Sequence, residues 1–173
     1  MEKEVTKIKC PYTNFRNKVM KWIKILRTPR EEYGGMAACP FVGAEVENKL
    51  MIEIFDPEKN SIIDMMNKFV ESDYDSALFI QKTDELILSK ETYKYQNFIN
   101  KMLKKNGFEK YKCICFNPLD TEHVQGFNIR GLSPYFMINV ADKKVLSKAH
   151  KSLLRTKYFS KMGDKYKKYL KVK

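Results

Sequence analysis

The chain has few residues that break secondary structure, with seven glycines and six prolines among 173 residues. Five of those glycines and four of those prolines fall in only two segments, residues 29–48 and 117–134. Long irregular segments inside a compact domain are usually functional or disordered. Because these two loops also carry cysteine, histidine, arginine and serine, we predict that together they form the functional site.

Long hydrophobic runs are also missing. No stretch approaches the roughly 20 apolar residues of a membrane-spanning helix, and the first residues lack the apolar core of a secretory signal. We therefore expect a cytoplasmic protein with no membrane partner, whose four cysteines are reduced thiols or metal ligands rather than disulfides. At this length, with 43% hydrophobic residues, we expect residues 1–173 to form a single domain.

Acidic residues are nearly absent from the C-terminal segment, residues 143–173. One Asp there stands against eleven Lys and one Arg, so the segment carries +11 of the chain's net charge of +12. A basic helical segment of this kind can bind nucleic acid by displacing counterions from phosphates. The candidate contacts are Lys151, Arg155, Lys157 and Lys161. The alternative is a solvated helix face, since the segment carries no helix-turn-helix, zinc-finger or RRM signature.

Strand and helix patterns alternate along the rest of the chain. Short apolar runs predict four strands, at residues 50–55, 76–81, 112–116 and 135–140. Apolar residues at helical spacing lie before the first strand, between the first three strands and after the fourth. The order α-β-α-β-α-β-β-α predicts an α/β or α+β fold with a four-stranded mixed sheet and about four helices.

Capping residues predict where the helices begin and end. Asn14 or Thr13 is a candidate N-cap for the first helix, and Asp56-Pro57 resembles an N-cap followed by proline at the first helical position. Asn106-Gly107 is typical of a left-handed helix end. We expect the last helix to run from residue 143 to about residue 169, with a break at Gly163.

Cys39 and His123 are the candidate catalytic residues. Cys39 precedes a proline in the first loop and would be a nucleophile or metal ligand if a base or cation stabilised its thiolate. His123 lies in the second loop and would carry protons. The alternatives are a cysteine that packs in the core and a surface histidine.

Arg130, Ser133 and Asn117 are the candidate substrate-binding residues. The planar guanidinium of Arg130 matches a carboxylate or phosphate. Ser133 precedes a proline, which favours an extended backbone that presents its hydroxyl, and Asn117 brackets the other end of the same loop. In the alternative interpretation, Arg130 forms an ion pair with an acidic residue of the first loop and ties the two loops together.

Cys113 and Cys115 alternate along the third predicted strand, so their side chains point to one face. With Cys10 and Cys39 they make four potential thiolate ligands. The spacings match no zinc or iron–sulfur motif. We therefore predict that Cys113 and Cys115 pack in the core, and we predict no metal site.

Four short segments occur in a distinctive order: Trp22 in the first helix, Cys39-Pro40-Phe41, Phe116-Asn117-Pro118 and Ser133-Pro134-Tyr135. Over most of residues 20–140 this order resembles a family of small bacterial proteins of unknown function. In that family an early helix leads to N-L-C-P-F-A, F-H-P ends a strand, and N-R-S-P-Y-P opens the next one.

The chain departs from the family pattern at three places. Asn117 stands where the family has histidine, Gly131-Leu132 separates Arg130 from Ser133, and Phe136 replaces the second proline. The resemblance implies that Cys39, Arg130 and Ser133 belong to one site. It implies no particular reaction or cofactor.

Three functions are compatible with these patterns. The first is a ligand-binding or catalytic pocket formed by the two loops, thiol-dependent if Cys39 reacts, which takes an anionic small molecule. The second is a nucleic-acid-binding module that uses residues 143–173. The third is a viral or phage accessory protein whose loops bind a host protein.

Overall fold

The fold is known from a computed structural model, which describes residues 12–31, 35–37, 39, 49–82, 89–120 and 132–154. The helices are α1 (Phe15–Arg27), α2 (Ile62–Val70), α3 (Ser89–Lys105) and α4 (Lys143–Leu154). The strands are β1 (Pro29–Arg30), β2 (Met36–Ala37), β3 (Leu50–Phe55), β4 (Ser76–Gln81), β5 (Tyr111–Phe116) and β6 (Met137–Asp142). The predicted order is confirmed, and the two-residue pair β1–β2 is an addition to it.

The main sheet has four strands in the order β3-β4-β6-β5. β3 and β4 are parallel, whereas β6 is antiparallel to both of its neighbours, β4 and β5. The predicted four-stranded mixed sheet is therefore confirmed. Because β3, β4 and β5 run in one direction, all three end at the same side of the sheet, where β6 begins. We call this side the carboxyl edge.

Helices cover both faces of the sheet. α1 packs on one face through Trp22 and Leu26, against strand residues such as Ile52, Ile80 and Met137; we call this apolar cluster the α1-side core. α2 and α3 pack on the other face and form the α2/α3-side core. Strands buried on both faces read as continuous apolar runs rather than as strict alternation, which explains the LMIEIF and SALFIQ patterns.

α2 begins later than the sequence predicts. The expectation that Asp56-Pro57 starts the helix is wrong, because Asp56 organises a separate turn in which its carbonyl accepts from the Asn60 N–H at 2.9 Å. The helix begins at Ile62 behind a capping box: Ser61 Oγ accepts from the Asp64 N–H, and the Asp64 carboxylate accepts from the Ser61 N–H. A capping box satisfies two donors that a helix start otherwise leaves unpaired.

Two other helix ends can be compared with their predictions. Asn14 occupies the N-cap position of α1, but it adopts a left-handed conformation (φ 56°) and its side chain makes no capping hydrogen bond. Asn106-Gly107 ends α3 as predicted, with Gly107 at φ 82° and the Phe108 N–H donating to the Leu103 carbonyl at 2.8 Å. Glycine adopts this left-handed conformation without strain.

The last helix is described as far as Leu154. The prediction that it continues to about residue 169, and the predicted break at Gly163, lie outside the described residues. Within the described part of the chain, no helix combines the length and apolar character that a membrane span requires.

Candidate functional site

Buried polar side chains gather at the carboxyl edge. Within the described residues, four polar or charged residues are buried: Thr92, Asn117, Asp120 and Ser133. Asn117 directly follows β5, and Asp120 lies three residues further on. Ser133 lies four residues before β6, whose first residue pairs with the last residue of β5. The second loop therefore leaves the sheet and returns to it at the same edge.

Asn117 connects β5 to α3. Its side-chain Nδ2 donates to Thr92 Oγ1 at 2.8 Å, and its Oδ1 accepts from the Leu119 N–H at 3.0 Å. Leaving a buried donor or acceptor unpaired costs about 1–3 kcal/mol. Both hydrogen bonds of the Asn117 amide therefore stabilise its position. Asn117 thus fixes the start of the second loop against the first turn of α3.

The turn after β5 follows from its sequence. Pro118 cannot donate to a strand ladder, and the Asp120 N–H donates to the Asn117 carbonyl at 2.9 Å. This i→i+3 bond is typical of a β-turn with proline at its second position. The turn brings the Asp120 side chain into the interior, where 2% of the residue is exposed.

Ser133 is buried without a hydrogen-bond partner among the described residues. Only 3% of the residue is exposed, and its Oγ makes no hydrogen bond with any described residue. Most buried side-chain hydroxyls in proteins are hydrogen-bonded, and an exception calls for a specific explanation such as a bound water or ligand. The Ser133 hydroxyl is thus a buried donor at this edge that is available to a ligand.

Gln81, at the end of β4, accepts hydrogen bonds from tyrosines on both faces of the sheet. Its Oε1 accepts from the Tyr95 hydroxyl of α3 at 2.9 Å, and its carbonyl accepts from the Tyr12 hydroxyl at 3.4 Å. Tyr12 also stacks on Tyr135, with ring centroids 5.4 Å apart. These contacts fasten the start of α1 and the first half of α3 to the end of β4.

Burial raises the pKa of the Tyr95 hydroxyl above its ordinary value, and the nearby Cys115 and Cys113 raise it further. Both causes disfavour the charged phenolate. Tyr95 therefore stays protonated well into the alkaline range and keeps donating to Gln81.

Cys39 is half-buried next to the end of α1. Its backbone N–H donates to the Leu26 carbonyl at the end of α1, at 3.0 Å. Its side chain packs against the α1-side core, which also includes Phe116 and Tyr135. Phe116 directly precedes Asn117, and Tyr135 lies two residues after Ser133. The structure therefore brings the first loop and both ends of the second loop into contact with one core.

The other candidate residues of the second loop, His123 and Arg130, lie outside the described residues. So do Arg155, Lys157 and Lys161 of the C-terminal segment. Lys151 is described and is exposed on α4.

Trp22 is a second buried donor near the site. It is the one tryptophan of the chain, its ring makes an edge contact with Phe116 at 4.9 Å between centroids, and its Nε1–H has no hydrogen-bond acceptor among the described residues. A ligand oxygen or a water beside Phe116 would satisfy this donor.

Cys113 and Cys115 are fully buried on the α2/α3 side of β5. The prediction that they share one face and pack in the core is confirmed. Within the described ranges no three His, Cys, Asp or Glu residues are grouped closely enough to bind a metal ion.

A groove of about 600 Å³ follows the second half of α1. It is lined by Met20, Ile23, Lys24, Arg27, Thr28 and Pro29. None of the four buried polar residues lines this groove, so the carboxyl edge is the better candidate for a specific site.

Sequence reasoning missed the parts that Thr92 and Trp22 play at this edge. Thr92 lies in the polar first turn of α3, 25 residues before its partner Asn117. A threonine at such a position does not by itself indicate a long-range hydrogen bond. Trp22 fits the apolar stripe of α1, and that pattern gives no sign that its N–H lacks an acceptor among the described residues. Three comparisons, with protein-family models, with curated proteins and with solved structures, find no match to this chain.

Proposed function

We propose that this protein binds a small anionic molecule at the carboxyl edge of its sheet. The observation that carries the proposal is the buried Ser133 hydroxyl, which lacks a partner among the described residues and lies at the edge where hydrogen bonds fix Asn117 to Thr92 and Leu119. Ligands of open α/β sheets characteristically bind outside the carboxyl ends of the strands. A ligand oxygen that accepts from Ser133 would offset the unfavourable free energy of burying this hydroxyl.

The helix that supports the site favours an anion. Thr92 lies in the first turn of α3 and bonds to Asn117 at the carboxyl edge, so the start of α3 is directed to this edge. Helix N-termini carry a partial positive charge and unpaired N–H groups that attract anions. Ser133 and the N-terminus of α3 together make a donor-rich site.

Arg130 and His123 are the loop residues that we assign to ligand binding and proton transfer. Arg130 lies three residues before Ser133, and His123 three residues after Asp120. In this proposal the Arg130 guanidinium binds the anionic group of the ligand.

Cys39 is the nucleophile that we assign to the site if the bound molecule reacts. Its half-buried position against the α1-side core is compatible with this role, and the resemblance of the short sequence segments groups Cys39 with Arg130 and Ser133. Asn117 fixes the start of the loop, so its contribution to binding is positional.

The test is ligand binding by the wild-type chain and by Ser133→Ala. Thermal denaturation would be measured with a panel of inorganic phosphate, pyrophosphate, nucleoside monophosphates and dicarboxylates. A bound ligand raises the melting temperature because it stabilises the folded state by mass action. Titration calorimetry of the hits is expected to show affinity weaker by about tenfold or more in Ser133→Ala, since a hydrogen bond to a charged group is worth about 1.5–3 kcal/mol and each 1.4 kcal/mol or so is tenfold.

Ser147→Ala is the matched control, because it removes the same hydroxyl from an exposed position on α4. It is expected to bind the hits like wild type. If no anion of the panel binds, or if both serine variants bind them with wild-type affinity, the proposal is wrong.

A further inference from the structure

The lysines of α4 form a regular stripe. Lys144, Lys148 and Lys151 are all exposed, and their spacing of four and then three residues places them on one side of the helix. At 1.5 Å per residue the stripe is about 10 Å long. α4 contains no acidic residue from Lys143 to Leu154.

Five described lysines outside α4 are paired with acidic residues. Ion pairs between described residues join Lys49 to Asp75 at 3.3 Å, Lys68 to Glu53 at 2.7 Å and Lys94 to Glu91 at 3.1 Å. Two more lysines pair with Asp56. None of the ion pairs in this part of the chain includes a lysine of α4.

The acidic residue that directly precedes α4 is engaged at the start of the helix. Asp142 Oδ1 accepts from the Lys144 backbone N–H at 2.7 Å, which caps the start of α4. Lys143 is also engaged there, since its Nζ donates to the Glu109 carbonyl at 2.6 Å. The ammonium groups of Lys144, Lys148 and Lys151 therefore face solvent with no acidic residue of their own helix beside them.

We infer that this stripe, defined by Lys144, Lys148 and Lys151, binds the phosphate backbone of duplex nucleic acid without reading its sequence. The observation is independent of the carboxyl-edge site. Phosphates of one duplex strand advance 3.4 Å per step along the axis, so a 10 Å stripe covers about three steps. Charge complementarity supports nucleic acid as the partner, because residues 143–173 add +11 to a nearly neutral body.

Nucleic acid is favoured over a membrane surface. A helix that binds at a lipid interface presents large apolar side chains opposite its basic face. In the part of α4 whose side chains the structure describes, Val145 is the exposed large apolar residue, and the sequence of α4, KKVLSKAHKSLL, contains no aromatic residue.

The experiment is fluorescence anisotropy of a labelled 20-base-pair DNA duplex, titrated with the full chain at several NaCl concentrations. Two triple variants would be compared with wild type: Lys144→Gln, Lys148→Gln, Lys151→Gln on α4, and Lys101→Gln, Lys104→Gln, Lys105→Gln on α3. All six lysines are exposed, so both variants lose the same charge. Circular dichroism would verify that both fold.

We expect wild type to bind with a linear dependence of log affinity on log salt. Each phosphate contact contributes about 0.9 to the slope, so the α4 variant is expected to lose about 2.7 of slope and at least roughly tenfold in affinity at 50 mM NaCl. The α3 variant is expected to keep the wild-type slope.

Three results would overturn the inference. The first is no duplex binding at 50 mM NaCl, and the second is an equal loss in the two variants, which would assign binding to net charge alone. The third is binding to vesicles of phosphatidylcholine with phosphatidylserine, but not to the duplex, which would identify a membrane partner instead.

Discussion

The side chain of Asn100 pairs with the backbone of Cys113 as a neighbouring strand would. Asn100 Oδ1 accepts from the Cys113 N–H at 3.0 Å, and its Nδ2 donates to the Cys113 carbonyl at 3.1 Å. One turn earlier, Gln96 Oε1 accepts from the Cys115 N–H at 2.9 Å. Because β5 is an outer strand of the sheet, α3 thereby covers an edge that would otherwise be free to pair with another chain.

Replacing Asn100 with alanine is therefore expected to destabilise the fold. The change leaves the Cys113 N–H and carbonyl unpaired beside a fully buried side chain, at a cost of about 2–3 kcal/mol. Urea unfolding would measure the free-energy difference, and light scattering would report association through the uncovered edge. Asn97→Ala, an exposed change on the same helix, is expected to stay within about 0.5 kcal/mol of wild type; equal effects of the two changes would refute this role.

Much of the fold could be predicted because its signals are local. β3 and β4 have the predicted bounds, since each is a buried apolar run flanked by polar residues. The end of α3 could be predicted equally well, because the Asn106-Gly107 pair favours a helix end through local backbone conformation alone. Such features depend on neighbours in sequence and need no knowledge of the sheet order.

The parts that could not be predicted depend on contacts between distant segments. Helical spacing in α3 predicts an inward face of Tyr93, Phe98, Ile99, Met102 and Leu103. Ile99 and Leu103 are buried as predicted, whereas Tyr93 and Phe98 are 39% and 55% exposed. The face of α3 that meets the sheet also includes Gln96 and Asn100, polar residues that pair with β5. The Thr92–Asn117 bond of the candidate site is non-local in the same way.

Ser133→Ala is expected to leave the ligand-free protein as stable as wild type, or more stable by about 1 kcal/mol. A buried hydroxyl with no partner costs desolvation free energy that alanine avoids. Chemical denaturation would measure this. The contrasting variant is Ser72→Ala, which loses a 2.6 Å hydrogen bond to the Phe69 carbonyl and is expected to lose about 1 kcal/mol. A loss of several kcal/mol in Ser133→Ala would instead indicate a structural role for its hydroxyl.

Tyr95→Phe is expected to change how stability depends on alkaline pH. The folded state raises the pKa of Tyr95, so its contribution is fully present below the ordinary tyrosine pKa of about 10 and is lost as pH rises through the folded-state pKa. The stability difference between wild type and Tyr95→Phe should be about 1 kcal/mol at pH 8 and should shrink above pH 10.

Urea unfolding between pH 8 and pH 11 would test this dependence on Tyr95. Tyr74→Phe removes a hydroxyl from an exposed tyrosine and serves as the control for the loss of a tyrosine hydroxyl. A stability difference for Tyr95→Phe that stays constant from pH 8 to pH 11 would contradict a raised pKa of Tyr95 in the folded state.

Cysteine reactivity should follow burial. Cys39 is half-buried, whereas Cys113 and Cys115 are fully buried, so iodoacetamide is expected to modify Cys39 in the native protein and the other two only after denaturation. Mass spectrometry of peptides would locate the modified sites. Native-state modification of Cys113 or Cys115 at the rate of Cys39 would show that the α2/α3-side core opens readily.

The most direct measurement of the ligand site is a backbone NMR titration of the ¹⁵N-labelled protein with inorganic phosphate. If the carboxyl edge binds anions, the amide signals of Thr92, Leu119, Asp120 and Tyr135 should shift together and reach saturation, and the shifts should weaken in Ser133→Ala. Shifts confined to α4, or no saturable shift at all, would contradict the account.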